Sequence, residues 1–385
     1  GVVCRAPHSY TGEETVELQC HGSPAMLAAG LEALLAAGAR QAGPGEFTRR
    51  AFLNGKLDLT QAEAVVDLID AETADAAANA AGQLGGALKR AIGPVYDGLT
   101  DLCSHFHAVL DYPDEDIEDF GAAELSGALD RAGAALQELL ATYEKGRHLR
   151  QGVRAVLLGK PNAGKSSLLN RLAGYDRVIV TDIAGTTRDT VEEPVRVGRV
   201  LLRLTDTAGI REAGDAIEAL GVARSEQAAR EAELALFVCD ASQPLTDEDR
   251  RAIEAAKCAP RSLALCNKSD LPAAISPDEL PFDTVLTVSA RTGAGLDALP
   301  ALLEGWFLGE NACDGSLLTN PRQFGALDRA SRAIERAKTG LSLGVTPDAV
   351  LTDVEEAMAA LGEVTGRTVR EDITNRIFER FCVGK

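Results

Sequence analysis

The residues with the clearest chemistry form the segment Gly159–Ser166, which reads G-x-x-x-x-G-K-S. The apolar run Val153–Leu158 before it predicts a strand, and the paired leucines after it predict a helix. A glycine-rich turn between a strand and a helix directs backbone N–H groups and the positive end of a helix dipole at one point, which suits a polyphosphate. Lys165 would add a cation for the β- and γ-phosphates, and the hydroxyl of Ser166 would hold Mg²⁺.

Two later segments have the residues of nucleotide-dependent switches. The first, Gly185-Thr186-Thr187-Arg188-Asp189, precedes a predicted pair of strands, where a threonine hydroxyl could reach Mg²⁺ and the γ-phosphate. The second, Asp206-Thr207-Ala208-Gly209, follows the predicted strand Leu201–Leu204. It would place a carboxylate near Mg²⁺ and the N–H of Gly209 near the γ-phosphate. This pair of segments is typical of a GTPase.

Two further segments predict which base is bound. Asn267-Lys268-Ser269-Asp270 follows the predicted strand Leu263–Cys266, and the Asp270 carboxylate can accept hydrogen bonds from N1–H and the 2-amino group of guanine. Adenine lacks this pair of donors, so a nucleotide with adenine would leave the carboxylate unpaired. Ser289-Ala290-Arg291 would supply a backbone N–H for the guanine oxygen. The predicted nucleotide-binding residues are Asn162, Ala163, Gly164, Lys165, Ser166, Ser167, Thr187, Asp206, Gly209, Asn267, Lys268, Asp270, Ser289 and Ala290.

The residue that orients the attacking water is not evident from the second switch. Ras-like switches place a glutamine directly after D-x-x-G, whereas this chain has Ile210, which cannot orient water. The nearby polar candidates are Arg211, Glu212, Asp215 and Glu218, and spacing alone does not distinguish among them.

Composition limits the class of protein. The 385 residues are enough for two or three domains, and no apolar run approaches the ~18 residues that span a bilayer. The eight scattered cysteines form no C-x-x-C pair, which favours reduced thiols in the cytosol, and Cys239, Cys258 and Cys266 are expected to be small core residues. A net charge of −19 means that any nucleic acid must meet a local basic patch. The opening at Gly1 reads as the middle of a domain, so an N-terminal part is expected to be missing.

The pattern changes three times along the chain. Residues 1–53 alternate a strand pattern with a helix that Gly38 ends, which predicts a small α+β piece. Long alanine-rich and leucine-rich helices follow in residues 54–150, strands alternate with helices in 151–309, and helices return in 310–385. We expect a doubly wound α/β domain inserted into one interrupted helical domain. The predicted strands are Ala155–Leu158, Val200–Leu204, Leu234–Val238, Leu263–Cys266 and Val285–Val288.

Smaller signals concern helix ends and connections. Segments that begin at Thr60, Thr352 and Thr368 read as capping boxes, which predicts helix starts there. Ile373, Ile377 and Phe381 recur every four residues as one apolar stripe. The acidic run at residues 111–119 predicts a solvated connection between helices.

The motifs together resemble the potassium-activated GTPases of the TrmE/Era/EngA class, and the whole chain resembles the MnmE (TrmE) family of tRNA modification GTPases. The resemblance rests on Gly45–Leu59, on the insertion of the nucleotide domain, and on the ending Cys382-Val383-Gly384-Lys385. It implies a multidomain fold, with an α/β P-loop GTPase domain of the Ras-like doubly wound type inserted into an all-α domain and preceded by a partial α+β, folate-binding-like domain. It also implies binding of GTP and GDP.

The resemblance implies roles for particular residues. Ser166 and Thr187 would hold Mg²⁺, whereas Asn162, Gly185 and Thr186 would surround K⁺. Glu218 would be the catalytic glutamate, acting through a bridging water. Cys382 would be needed for tRNA modification and not for GTP hydrolysis, although a lone cysteine near a terminus also fits a frayed thiol.

Cofactors and partners are implied in the same way. The N-terminal piece would hold a tetrahydrofolate derivative, and Arg49 and Arg50 could meet its anionic part or be solvated helix-end cations. Expected partners are tRNA, an FAD-dependent protein of the MnmG (GidA) type, and a second copy of the chain through the N-terminal domain, with transient pairing of the nucleotide domains. The implied activity is K⁺-activated GTP hydrolysis coupled to modification of carbon 5 of the wobble uridine. An Era-like regulatory GTPase without base chemistry is the alternative, although the KH domain that Era-like proteins carry is not evident after Trp306.

Overall fold

The computed structural model describes residues 1–111, 122–175, 192–206, 218–309, 313–367 and 377. The chain forms two compact units. The helical unit consists of residues 1–71, 76–143 and 313–385, and the nucleotide unit consists of residues 72–75 and 144–312. The second unit therefore interrupts the first in sequence. In the described part of the chain, none of the helices has the length and apolar character that crossing a membrane requires.

The first segment of the helical unit begins with a two-stranded antiparallel sheet of β1 (Val2–Cys4) and β2 (Thr15–Glu17). Helix α1 (Pro24–Ala36) follows, and Gly38 after it has φ 101°, as the predicted end of that helix requires. The other helices of this segment are α2 (Glu46–Leu53), α3 (Leu59–Ile69), α4 (Ala74–Leu84), α5 (Ala87–Asp111) and α6 (Ala122–Ala141).

The nucleotide unit is built on a six-stranded mixed sheet. Its elements in chain order are α7 (Tyr143–Gln151), β3 (Val153–Leu158), α8 (Lys165–Tyr175), β4 (Glu192–Val197), β5 (Val200–Asp206), α9 (Glu218–Glu231), β6 (Leu234–Asp240), α10 (Asp247–Ala256), β7 (Arg261–Asn267), β8 (Val285–Thr287) and α11 (Ala298–Phe307). The strand order is β4-β5-β3-β6-β7-β8, and all neighbours are parallel except β4 and β5. Loops after β3, β6 and β7 therefore emerge at one edge of the sheet, where α/β proteins bind ligands.

Two long helices complete the helical unit: α12 (Pro321–Ser342) and α13 (Pro347–Thr365). Their apolar faces pack with those of α5 and α6 in one core, which includes Leu99, Leu136, Leu327 and Leu361. Each of these leucines is at most 1% exposed. Burial of this shared core is the main source of stability for helices that could not persist alone.

The predicted fold class is confirmed, with small shifts in the strand ends. Most observed strands extend one to three residues beyond the predicted apolar runs. The backbone of the polar residues at these ends still pairs with the neighbouring strand. Cys239 and Cys266 are core residues, 1% and 2% exposed, while Cys258 is half-buried. Residues 112–119 of the acidic run lie outside the described part.

Two predicted helix starts were wrong. Helix α3 is capped by Asp58, whose side chain accepts from the N–H of Gln61 at 2.9 Å, and Thr60 donates to that carboxylate instead of capping the helix. Thr352 lies inside α13, where its hydroxyl donates to the carbonyl of Asp348 at 3.0 Å. The start predicted at Thr368 lies outside the described residues. Of the apolar stripe, Ile377 is described, and it packs against Ala62 of α3, as Phe52 also does.

Candidate nucleotide site

The phosphate loop joins β3 to α8, and glycine is required at both of its ends. At Gly159, φ is 144°, and a Cβ atom would lie 2.1 Å from the carbonyl oxygen of Val238 on β6. At Gly164, φ is 98°, and a Cβ atom would lie 2.1 Å from the side-chain nitrogen of Asn267. Because both contacts are far inside van der Waals range, these two glycines let the loop pack closely on the neighbouring strands.

Lys165 and the two serines that follow it begin α8. Lys165 is 8% exposed, and its Nζ donates to the carbonyls of Gly159 at 2.7 Å and Lys160 at 2.8 Å. These bonds hold its ammonium group over the loop. Ser166 and Ser167 are exposed at the N-terminal end of α8, where N–H groups lack helix partners. The loop, its lysine and this helix end form an anion cradle.

Asn267 ties the phosphate loop to the base-recognition segments. Its side-chain nitrogen donates to the carbonyl of Ala163 at 2.9 Å, and its Oδ1 accepts from the N–H of Ala290 at 2.9 Å. The residue is 2% exposed, so both bonds are shielded from water. Asn267 therefore joins three of the predicted segments by direct contact. A guanine oxygen that bound the N–H of Ala290 would have to share this donor.

Asp270 is oriented by two side chains. Its Oδ1 accepts from the Ser289 hydroxyl at 2.6 Å, and its Oδ2 lies 3.0 Å from a terminal nitrogen of Arg291. The hydrogen bond from Ser289, supported by the positive charge of Arg291, lowers the pKa of the Asp270 carboxyl below its ordinary value. The carboxylate therefore stays ionised and oriented, which is the state that accepts hydrogen bonds from a base.

Lys268 is held by a carboxylate that sequence reasoning missed. It has φ 66°, an uncommon value outside glycine, and its Nζ donates to Oδ2 of Asp240 at 2.6 Å. Burial raises the pKa of Asp240, but hydrogen bonds from Lys268 and from Ser242 outweigh it and lower that pKa overall. Asp240 lies at the end of β6, in register with Asn267. The sequence signal that could have found it is its position just after the apolar run Leu234–Val238.

A second missed carboxylate, Asp249, lies in the first turn of α10 and is fully buried. Its Oδ2 accepts from Nζ of Lys160, the second residue of the phosphate loop, at 2.8 Å. A cavity of about 620 Å³ lies beside this pair. The cavity is lined by Lys160, Pro161, Asn162, Asp240, Gln243, Pro244, Thr246, Asp247, Glu248, Arg251 and Lys268.

The remaining predicted residues are only partly described. Asp206 is the last residue of β5, in register with Leu157 of β3, and Glu218 is the first residue of α9. Gly185, Thr186, Thr187, Gly209 and Cys382 lie outside the described residues, as do Arg211, Glu212 and Asp215.

In the N-terminal segment, the cation Arg50 lies on α2. Its terminal nitrogens lie 3.0 Å from a carboxylate oxygen of Glu13 and 2.8 Å from one of Glu46. This pairing favours the interpretation of Arg50 as a structural cation at the helix end.

Comparison with known families gives an assignment for the whole chain. Residues 59–382 match the family model described as the MnmE helical domain. The chain belongs to the MnmE family. Residues 1–56 match a second model, described as the GTP-binding protein TrmE N-terminus. Together the two matches confirm the family resemblance found in the sequence.

Curated MnmE relatives align along the full chain. The tRNA modification GTPase MnmE of Roseiflexus sp. strain RS-1 is 46% identical over 400 residues, which cover 100% of this chain and 85% of the relative. The MnmE protein of Enterococcus faecalis is 41% identical over 390 residues, with 100% and 84% coverage. Among solved structures, the G domain of the T. maritima FeoB iron transporter is 22% identical, covers 39% of this chain and 94% of its own, and has a TM-score of 0.29.

Proposed function

We propose that this chain hydrolyses GTP and that hydrolysis drives modification of tRNA at carbon 5 of the wobble uridine, together with an FAD-dependent partner of the MnmG type. The observation that carries the proposal is the convergence of an anion cradle with an oriented carboxylate. Asn267 connects the phosphate loop to Ala290, and the adjacent Ser289 fixes Asp270. Membership of the MnmE family supports the tRNA substrate and makes the Era-like alternative the weaker one.

The predicted site residues suit the first steps of this reaction. Loop N–H groups and Lys165 would bind the β- and γ-phosphates, and Asp270 would accept from guanine. Ser166 and Thr187 would hold Mg²⁺, which supplies charge neutralisation between the β- and γ-phosphates when bound. Because Asp270 stays ionised, its preference for guanine should hold throughout the physiological pH range.

We also propose that K⁺ is bound by Asn162, Gly185 and Thr186. The exposed amide of Asn162 lines the cavity beside the phosphate loop and offers the kind of oxygen that suits a hard cation. Glu218 would orient the attacking water from the first turn of α9. Positive charge near the transferred phosphoryl group would fill the role that an arginine finger has in other GTPases.

The remaining assignments come from the family resemblance. Cys382 would act in base modification and not in hydrolysis. The N-terminal segment would hold a tetrahydrofolate derivative and pair with a second copy of the chain, and nucleotide units would pair transiently during hydrolysis.

The hydrolysis assignment is tested by turnover in different salts. GTP turnover should be much faster in KCl than in NaCl at equal ionic strength. Glu218→Ala should lose turnover and keep GDP affinity. Glu226→Ala changes a half-buried glutamate on the same helix and should keep both. Equal rates in the two salts would refute the K⁺ assignment.

The tRNA assignment is tested separately by mass-spectrometric nucleoside profiles of tRNA from cells that lack the protein. Wild type should restore the modified wobble uridine, and Cys382→Ser should not, although its GTP turnover is intact. The exposed thiol of Cys20 provides the matched control, Cys20→Ser. Modification that is unchanged in the deletion strain would contradict the proposed function.

A further inference from the structure

The ion pair between Lys160 and Asp249 connects the phosphate loop to α10. Oδ2 of Asp249 accepts three hydrogen bonds, from Nζ of Lys160 at 2.8 Å, from the N–H of Thr246 at 2.9 Å and from the Thr246 hydroxyl at 2.7 Å. The bond from the Thr246 N–H belongs to the capping box that starts α10, and the other bond of that box runs from the N–H of Asp249 to the Thr246 hydroxyl at 3.4 Å. The same oxygen therefore caps a helix and anchors a loop.

Burial makes this anchor strong. The Asp249 side chain is 0% exposed and that of Lys160 is 16% exposed. Within the described ranges, Oδ1 of Asp249 has no hydrogen-bond partner, and Lys160 is the cation with which Asp249 forms an ion pair. Because a buried carboxylate without a cation is strongly unfavourable, the Lys160 ammonium is confined to this position.

The anchor lies just before Asn162, the residue assigned above to K⁺. Lys160 is fixed by Asp249 on one side, and the carbonyl of Ala163 is fixed by Asn267 on the other. Asn162 lies between the two anchors with φ 61°, in the left-handed region that asparagine enters more readily than most residues other than glycine. Fixing both neighbours restricts Asn162 to that conformation.

We propose that Asp249 is a positioning residue that acts through Lys160 to hold Asn162 in the conformation that binds a monovalent cation. The inference rests on the K⁺ site of the proposed function and names the residues that set its affinity. Lys160, Asn162 and the cap residue Thr246 all line the same cavity. The pair thus links α10 to the loop at the point where the cation would bind.

The double variant Lys160→Met/Asp249→Asn tests this role. An asparagine can still accept the two bonds from Thr246, so the cap of α10 is kept, whereas Lys160→Met alone would leave a buried unpaired charge. Melting temperature of the complex with GDP and aluminium fluoride, titrated with KCl against NaCl, reports K⁺ binding without turnover. The KCl concentration at half-maximal stabilisation should rise about 10-fold, as for loss of a residue that orients a metal ligand. Affinity for GDP without K⁺ should fall far less than affinity for K⁺.

The control is Lys257→Met/Glu254→Gln, which removes an exposed ion pair from the same helix. It should leave the KCl midpoint unchanged. An unchanged midpoint in the double variant would overturn the inference, and so would an equal loss of K⁺ and GDP affinity, since that indicates a general structural role. Wild type that responds equally to KCl and NaCl would refute the proposed K⁺ site itself, a result visible before any variant is made.

Discussion

Base selectivity at the residue scale depends on the hydrogen-bonding character of Asp270. A carboxylate accepts at both oxygens, and Ser289 and Arg291 fix its plane from the protein side. An asparagine of the same shape would offer one acceptor and one donor. It would oppose the 2-amino group of guanine with a donor, and it would match the 2-carbonyl of xanthine.

Asp270→Asn should therefore change the base preference of the site from guanine to xanthine. We expect GDP affinity to fall at least roughly 100-fold, because buried polar groups would be left unpaired, and xanthosine diphosphate affinity to rise. Competition against a fluorescent nucleotide measures both. Asp278→Asn, on an exposed turn of the same unit, should change neither. Loss of both nucleotides would indicate that Asp270 supports the fold and does not read the base.

Ser289→Ala should change the pH dependence of nucleotide binding. In the wild type the hydrogen bond from Ser289 lowers the pKa of Asp270, so the ionised form persists as pH falls and is lost only below the ordinary aspartate range near 3.9. Without that bond the pKa rises, and GDP affinity should begin to fall at a higher pH than in the wild type. GDP titrations from about pH 7 to pH 4 measure the shift. Parallel curves for the two proteins would contradict the assigned cause.

At the scale of elements, the end of α13 shows how a glycine sets a close contact. Gly366 follows the helix with φ 88°, and its N–H donates to the carbonyl of Gly362 at 2.9 Å. A Cβ atom there would lie 2.7 Å from the Phe52 ring on α2 and 3.0 Å from Leu59. The chain therefore leaves α13 against the same Phe52 that packs on Ala62 of α3.

Gly366→Ala should lower the free energy of unfolding by more than the backbone strain of an alanine with positive φ alone would. Gly344→Ala is the matched control, because Gly344 has φ 70° and a Cβ there would meet no atom of the described residues within 4 Å. We expect about 1 kcal/mol for Gly344→Ala from backbone strain. Gly366→Ala should lose about 1–3 kcal/mol more because Phe52 must move. Urea unfolding measures both losses of stability. Equal losses would show that the Phe52 ring moves aside at no cost in stability.

Sequence patterns predicted the helices and strands whose positions depend on neighbouring residues alone. Apolar runs followed by motif residues located the strands of the nucleotide unit, because strands buried on both faces are continuously apolar. Helix starts at Thr60 and Thr352 were wrong because the T-x-x-E pattern also occurs inside helices. The true caps depend on where the chain enters the helix, which places Asp58 ahead of α3.

Contacts between residues far apart in sequence could not be predicted from local patterns. The capping box from Thr246 to Asp249 can be read in the sequence, but its pairing with Lys160, 89 positions away, cannot. Similarly, the spacing of Asn267 indicated base recognition, whereas the structure shows it joining Ala163 to Ala290. Such residues are recognised only when the fold brings their partners together.

At the scale of the whole molecule, the helical unit is interrupted by 169 residues of another unit, from position 144 to position 312. The segments of the helical unit on either side of this interruption meet there. The N–H of Leu318 donates to the hydroxyl of Thr142 at 3.0 Å, and the rings of Tyr143 and Phe324 stack with centroids 4.1 Å apart. The chain thus leaves and returns to the helical unit at neighbouring points, as an inserted domain requires.

Replacing residues 144–312 with a Gly/Ser linker of about eight residues should leave a folded helical unit, since such a linker spans roughly 15 Å. Among the described residues, its core of α5, α6, α12 and α13 contains none from the excised segment. We expect a cooperative urea transition and helical circular dichroism from the excised protein, and GDP binding from residues 144–312 expressed alone. Thr142→Val in the excised protein should lower the urea midpoint, because the N–H of Leu318 loses its acceptor. A non-cooperative transition would mean that the nucleotide unit is needed for the helical unit to fold, and the insertion would then be a single folding unit with its host.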